Sequence, residues 1–145
     1  MNLKKPYLLF LGDAPDQLAA KTATGIADWR PEWCVGQMRL PGCGADTGLK
    51  DVDLAEALRL GAKTMVIGVV NSGGYMPDTW TDAICGALAN GLDLASGLHG
   101  RLESFPAIQA AAALHGRALH NVRYSEQKFT TGKGTKRTGK RLLTV

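Results

Sequence analysis

Apolar residues along the chain follow two rhythms. "YLLFLG" (7–12), "CVGQMR" (34–39), "TMVIGVV" (64–70), "LDLASGL" (92–98) and "RALHNV" (117–122) are short, mostly apolar runs, the pattern of strands covered on both faces. The stretches between them have helical spacing. "PDQLAAKTATGIADW" (15–29) puts Leu18, Ala19, Ala23, Ile26 and Trp29 on one predicted stripe, with Pro15 in the first turn. In "DLAEALRLG" (53–61), Asp53 is the expected N-cap, Glu56 follows three residues on, and Gly61 closes the helix. "PDTWTDAICGALANG" (77–91) spaces Trp80, Ile84 and Leu88 one helical turn apart, and Ser104 is the expected cap of "FPAIQAAAALHG" (105–116).

Apolar strands alternating with helices imply βαβ units and a parallel sheet. Right-handed crossovers then leave few topologies. The prediction is an α/β fold, a Rossmann-like doubly wound sandwich with a mainly parallel sheet of about five strands. In such a fold every strand ends at the same rim. The loops that leave those ends are unusual: "LGDAPD" (11–16), "MRLPGCGAD" (38–46), "VNSGGYMPD" (70–78) and "SGLHGR" (96–101). Glycine lets backbone approach a ligand, and N–H groups at helix starts attract anions. One rim is therefore expected to gather Asp13, Arg39, Cys43, Gly44, Asp46, Asn71, Ser72, Gly73, Gly74, Ser96, Gly97 and His99 as a small-molecule site.

Each of these residues also has a plainer structural reading. Asp13 suits a helix cap, Arg39 a surface pair with Asp46, and "NSGG" a tight turn or an anion nest. Cys43 would need a nearby cation or helix start to act as a nucleophile. His99 is the one histidine at the rim and the candidate general base, while His115 and His120 read as structural. Trp29 and Trp33 flank Pro31 and suit a core edge or a subunit contact, so a homo-oligomer is expected.

The dinucleotide fingerprint G-x-G-x-x-G is missing after the first run, and the second run ends in Arg39 rather than an acid, which argues against NAD as a cofactor. "GCGADTG" lacks the Gly-Lys-Ser/Thr of a phosphate loop. Three cysteines without a C-x-x-C pair, and three histidines, give no metal pattern.

At 145 residues the chain has the size of one domain with a real core. No apolar run approaches a membrane span, and the N-terminal lysines precede too short a stretch for a signal peptide, so a cytoplasmic protein with reduced thiols is expected. The net charge of +4 is unevenly placed: eleven bases face thirteen acids before residue 128, and all six later charged residues are basic. No aromatic interleaving accompanies the basic tail, so a solvated linker is expected there rather than a nucleic-acid surface. Residues 1–123 read as the Rossmann-like domain. Residues 124–145 read as a basic linker ending in "RLLTV", a new apolar run that predicts the start of a further domain.

Taken together, "PYLLFLGDAPDQLAAKTATGIADWRPE", "RLPGCGAD", "VIG", "DLASGLH" and "GKRLLTV" resemble the D-glutamate N-acetyltransferase family, once catalogued as a domain of unknown function and sometimes labelled NAD-dependent epimerase/dehydratase. The resemblance runs from Pro6 to about Val145. It implies a Rossmann-like N-terminal domain joined to a C-terminal P-loop-like domain that begins near residue 139. It also implies acetyl transfer from acetyl-CoA, as co-substrate, to the amine of D-glutamate in D-amino-acid catabolism. It names no catalytic residue. Such a transfer needs a deprotonated amine, a polarised thioester carbonyl and gripped carboxylates. The roles expected on this chain are Arg39 as carboxylate clamp, the 72–74 amides as oxyanion cradle and His99 as base. Two alternatives compete: a non-catalytic module that oligomerises and orients the P-loop domain, and, less favoured, a nicotinamide oxidoreductase.

Overall fold

The computed structural model describes residues 3–70, 76–124 and 138–139. Strands β1 (Tyr7–Gly12), β2 (Cys34–Arg39), β3 (Thr64–Ile67), β4 (Asp93–Ser96) and β5 (Leu119–Asn121) form one sheet in the order β2-β1-β3-β4-β5. Every neighbouring pair is parallel. In register, Leu9 lies between Gln37 and Val66, and Ala95 lies between Val66 and His120. Leu8, Leu9, Phe10 and Leu11 are all fully buried, as a central strand demands. Each such side chain is worth about 1.5–3 kcal/mol of burial.

Helices α1 (Lys21–Trp29), α2 (Leu54–Arg59), α3 (Asp78–Ala89) and α4 (Pro106–His115) make the crossovers, with short 3-10 turns at Pro31–Trp33 and Leu102–Ser104. Asp53 caps α2 as expected, accepting the Glu56 N–H at 2.7 Å, and the helix closes at Gly61 with Ala62 N–H on the Ala57 carbonyl. Trp80, Ile84 and Leu88 of α3 all face the core.

Two expectations need correction. The first helix starts at Lys21, not Pro15, because its intended first turns are held elsewhere. Asp16 Oδ1 accepts Ala19 N–H at 2.9 Å, Val70 N–H reaches the Ala19 carbonyl, and Ala23 N–H reaches the Gly68 carbonyl at 3.0 Å. Tertiary hydrogen bonds have taken the groups a longer helix would use. The predicted stripe breaks accordingly: Ala23 and Ala27 are buried, while Leu18 and Trp29 are 73% and 80% exposed. Ser104 does not cap α4 either. Its hydroxyl donates to the Arg101 carbonyl at 2.6 Å inside the 3-10 turn, and Phe105 precedes the helix without a side-chain cap.

The opposite rim of the sheet is closed by the segment before β1. Thr64 Oγ1 donates to the Lys4 carbonyl at 2.7 Å, and Lys4 Nζ stands 2.8 Å from the buried Asp93 carboxylate. Trp33 packs edge-on to Tyr7 and carries the Lys5 ammonium 4.0 Å above its ring. Cys34, Cys43 and Cys85 are unbridged thiols; burial, with the charge of Glu32, pushes Cys34 up to about 11. Among the described residues no helix is long and apolar enough to cross a membrane.

Burial works against the charge of Asp93, but the Lys4 hydrogen bond, the Ala118 N–H and the fields of Lys4 and Arg117 outweigh it and hold the carboxyl below the usual range. A carboxylate depressed on folding stabilises the fold above its unfolded pKa, and that stability is lost as pH falls through the folded value. The window therefore lies below about pH 4. Urea midpoints measured at neutral pH and at about pH 3 should fall further for the native chain than for Asp93→Asn. An equal drop in both would show that Asp93 carries none of the acid sensitivity.

Candidate functional site

The chain leaves β1 toward β2 on one side and later reaches β3 on the other. The two connections diverge at the carboxyl ends of β1 and β3, where doubly wound folds open a crevice. A cleft of about 550 Å³ lies there, lined by Asp13, Pro15, Asp16, Leu18, Ala19, Lys21, Val69, Val70, Pro77 and Trp80. Asp13 is its best-held polar group. The Trp80 indole N–H donates to Asp13 Oδ1 at 2.6 Å, and the ring is 2% exposed and packed edge-on to Phe10. Gly12 makes this possible. Its φ is +55°, and a methyl there would stand 2.6 Å from the indole. Asp13 is thus no helix cap, since α1 begins eight residues later, at Lys21.

On the β2 side the 40–49 loop is a buttress. Leu40, Cys43 and Gly44 N–H groups donate to the carbonyls of Gly12, Leu40 and Ala14. Asp46 N–H donates to Gln17 Oε1, Thr47 N–H to Gln37 Oε1, Gly48 N–H to Asp46 Oδ1 and Leu49 N–H to Thr47 Oγ1. These donors are committed internally. Gly44 is required by approach of chain to chain, because a methyl would meet the Pro15 carbonyl at 2.5 Å. Cys43 is half-buried, its thiol 3.6 Å from the Ala45 carbonyl.

Arg39 faces Asp51 as a fork, with Nε on Oδ1 at 2.7 Å and Nη2 on Oδ2; Asp46 is a looser partner at 3.6 Å. The hydrogen bond to Asp51 raises the guanidinium pKa further, and the same bond lowers that of Asp51. Gln37 and Gly48 hold the Asp46 carboxyl low. A second cleft of about 510 Å³ borders Arg39, Cys43 and Asp51 on the outer side of β2.

On the β4 side, Ser96 is buried and its hydroxyl oxygen accepts the Leu98 N–H at 3.1 Å. Gly97 is half-buried against Val122. His99 is exposed, and its carbonyl accepts the Tyr124 hydroxyl, above whose ring Arg101 lies at 4.4 Å. The rim therefore holds three groups: Arg39, Cys43, Gly44 and Asp46 beyond β2, Asp13 over β1, and Ser96, Gly97 and His99 beyond β4. Three strand spacings, about 14 Å, separate the ends of β2 and β4, so Arg39 and His99 share a rim but not a pocket. Asn71, Ser72, Gly73 and Gly74 lie outside the described residues. Among the described residues no three His, Cys, Asp or Glu side chains gather into a metal-holding group.

Residues 38–125 match a family described as "Domain of unknown function (DUF1611_N) Rossmann-like domain". The chain belongs to the DUF1611_N family. Two curated relatives, each named D-glutamate N-acetyltransferase, are 53% identical over 99% of the chain (Tritonibacter scottomollicae) and 47% identical over all of it (a Pseudoalteromonas species). The chain spans 43% and 44% of their lengths. A crystal structure of a DUF1611 family protein from Anabaena variabilis superposes with a TM-score of 0.71 at 22% identity, over 92% of this chain and 41% of that one, and shows the same fold.

What this DUF1611_N domain offers chemically is a cleft with a rigid carboxylate, apolar walls and a lysine. The sequence pattern places Trp80 on the core stripe of α3 rather than in the site, and it singles out neither Lys21 nor Asp51. Nor does it single out Gln37, which organises the buttress. It is fully buried, donating to Asp46 Oδ1 at 2.8 Å and Asp51 Oδ1 at 3.0 Å, and accepting from Thr47 N–H and Oγ1 at 2.8 and 2.7 Å. The signal was present as a lone amide inside an apolar strand. Gln37→Leu keeps the volume, leaves Thr47 N–H without its acceptor and takes one contact each from Asp46 Oδ1, Asp51 Oδ1 and Thr47 Oγ1. It should lower unfolding free energy by about 2–3 kcal/mol, read from urea unfolding, whereas a loss below about 0.5 kcal/mol would mean water replaces the amide at no cost.

Proposed function

We propose that this DUF1611_N domain is the N-terminal ligand-binding portion of an N-acetyltransferase that moves the acetyl group of acetyl-CoA to the amine of D-glutamate, in D-amino-acid catabolism. The observation that carries this reading is the 53% and 47% identity, across essentially the whole chain, to proteins named for that activity. The cleft at the β1–β3 divergence supports it, being large enough for a small metabolite. The partner domain that completes the enzyme would be the P-loop-like one implied by the family resemblance. In this reading His99, exposed at the end of β4 and outside the cleft lining, acts as general base toward the acceptor amine through an intervening water. Arg39 is assigned to holding its loop, since a substrate carboxylate would have to displace Asp51 from both of its contacts.

A second reading, a non-catalytic oligomerising module, draws on Trp29, which stands 80% exposed at the end of α1. Trp29→Ser would then dissociate an oligomer in light scattering; an unchanged mass would remove that support.

The decisive test uses the gene product at its natural length. Incubated with acetyl-CoA and D-glutamate, it should release coenzyme A thiol and form N-acetyl-D-glutamate; a folded protein that releases none overturns the proposal. His99→Ala should slow transfer by about 10²-fold or more, and an effect within about twofold would exclude His99 as base.

A further inference from the structure

The acetyltransferase reading involves two ligands of opposite character: a polyanionic donor with a pyrophosphate, and a small acceptor that presents an ammonium. The geometry of the β1–β3 cleft distinguishes them. A phosphate site at this position of a doubly wound fold uses free N–H groups at the start of the first helix. Here four of the amides around that start are already bonded within the protein. Ala19 N–H is on Asp16 Oδ1, Ala20 N–H on the Gln17 carbonyl, Lys21 N–H on the Leu18 carbonyl and Ala23 N–H on the Gly68 carbonyl. The charged side chains point the same way: among the described residues, Asp13 and Asp16 border the cleft against Lys21. Among the described residues of the cleft, a pyrophosphate would meet two carboxylates and one cation.

An ammonium would meet a prepared acceptor. Asp13 is anchored by a 2.6 Å bond from an indole that is itself wedged beneath Gly12 and against Phe10. Among the described residues this is the one bond Asp13 accepts, and it leaves most of the carboxylate's acceptor positions open. Holding the side chain in advance removes part of the entropy cost of binding. Leu18, Val69, Val70 and Pro77 supply apolar walls for a short aliphatic chain, and Lys21 supplies a cation for a carboxylate.

Resting on the acetyltransferase reading, we infer that this cleft takes the amine-bearing acceptor amino acid, with its ammonium on Asp13 and Trp80 as the positioning residue, while the acyl-CoA donor binds elsewhere in the protein. Asp13→Asn removes the charge and keeps the shape. In the natural-length enzyme it should raise the KM for D-glutamate by about tenfold or more, the scale of a charge-assisted hydrogen bond, and leave the KM for acetyl-CoA within about twofold. Trp80→Phe keeps a ring and loses the N–H, and should raise the same KM by a smaller factor. A raised acetyl-CoA KM, or no change in either, overturns the inference.

A binding measurement separates this inference from the activity itself. By calorimetry the native protein should prefer D-glutamate to glutarate, which lacks the amine, and Asp13→Asn should bind the two alike. If Asp13→Asn fails to fold, the same comparison on Trp80→Phe decides, because its core ring is retained. Absence of acetyl transfer by the native enzyme would end the functional reading. Equal affinity of the native protein for D-glutamate and glutarate would end the cleft assignment instead.

Discussion

β1 is hydrogen-bonded along both sides, to β2 and to β3, and both partners run with it. The chain departs from it in opposite lateral directions, so the connections above its carboxyl end cannot close over one another. The cleft follows from that. A slip of one residue in either ladder would exchange the faces on which Leu9, Val66 and Gln37 sit and dissolve the rim with them. The unbroken apolar run from Leu8 to Leu11 holds the strand in place, since each of those side chains is removed entirely from water.

Above the ladder, the rim departs from the usual economy of nucleotide-binding folds. Backbone donors around the first helix and in the 40–49 loop close on neighbouring carbonyls and on Gln17, Gln37, Asp16, Asp46 and Thr47. Recognition in the described part of the rim is consequently left to side chains. Side chains discriminate by charge and shape, where a cradle of amides answers to almost any anion. Asp13 and its indole neighbour come from parts of the chain 67 residues apart, and a glycine between them is what permits contact.

Much of this architecture was legible in the residues alone. All five strands and three of the four crossover helices fall where the spacing puts them, and α1 does so only from Lys21 onward, because strands buried on both faces leave a dense, short signature. The α2 caps were legible for the same reason: a cap is local. What escaped was decided over long range. Nothing near Pro15 reports that Gly68 and Val70 claim the backbone groups of Ala23 and Ala19. Asp13 has the look of a cap in "GDAPD", and only the fold brings Trp80 to it. Arg39 invited a pairing with Asp46, its nearer neighbour in sequence, while the β2-edge bridge between Gln37 and Asp51 presents the better-placed carboxylate.

The belt of Lys4 and Lys5 beneath the sheet has a practical corollary. Lys4 is pinned to the starts of β3 and β4 through Thr64 and Asp93, at the pole furthest from the strand tips. Anything joined ahead of it, whether a tag, a bead or a sensor surface, departs from the underside. A domain tethered by that end would stand mouth-upward, its crevice open to solution.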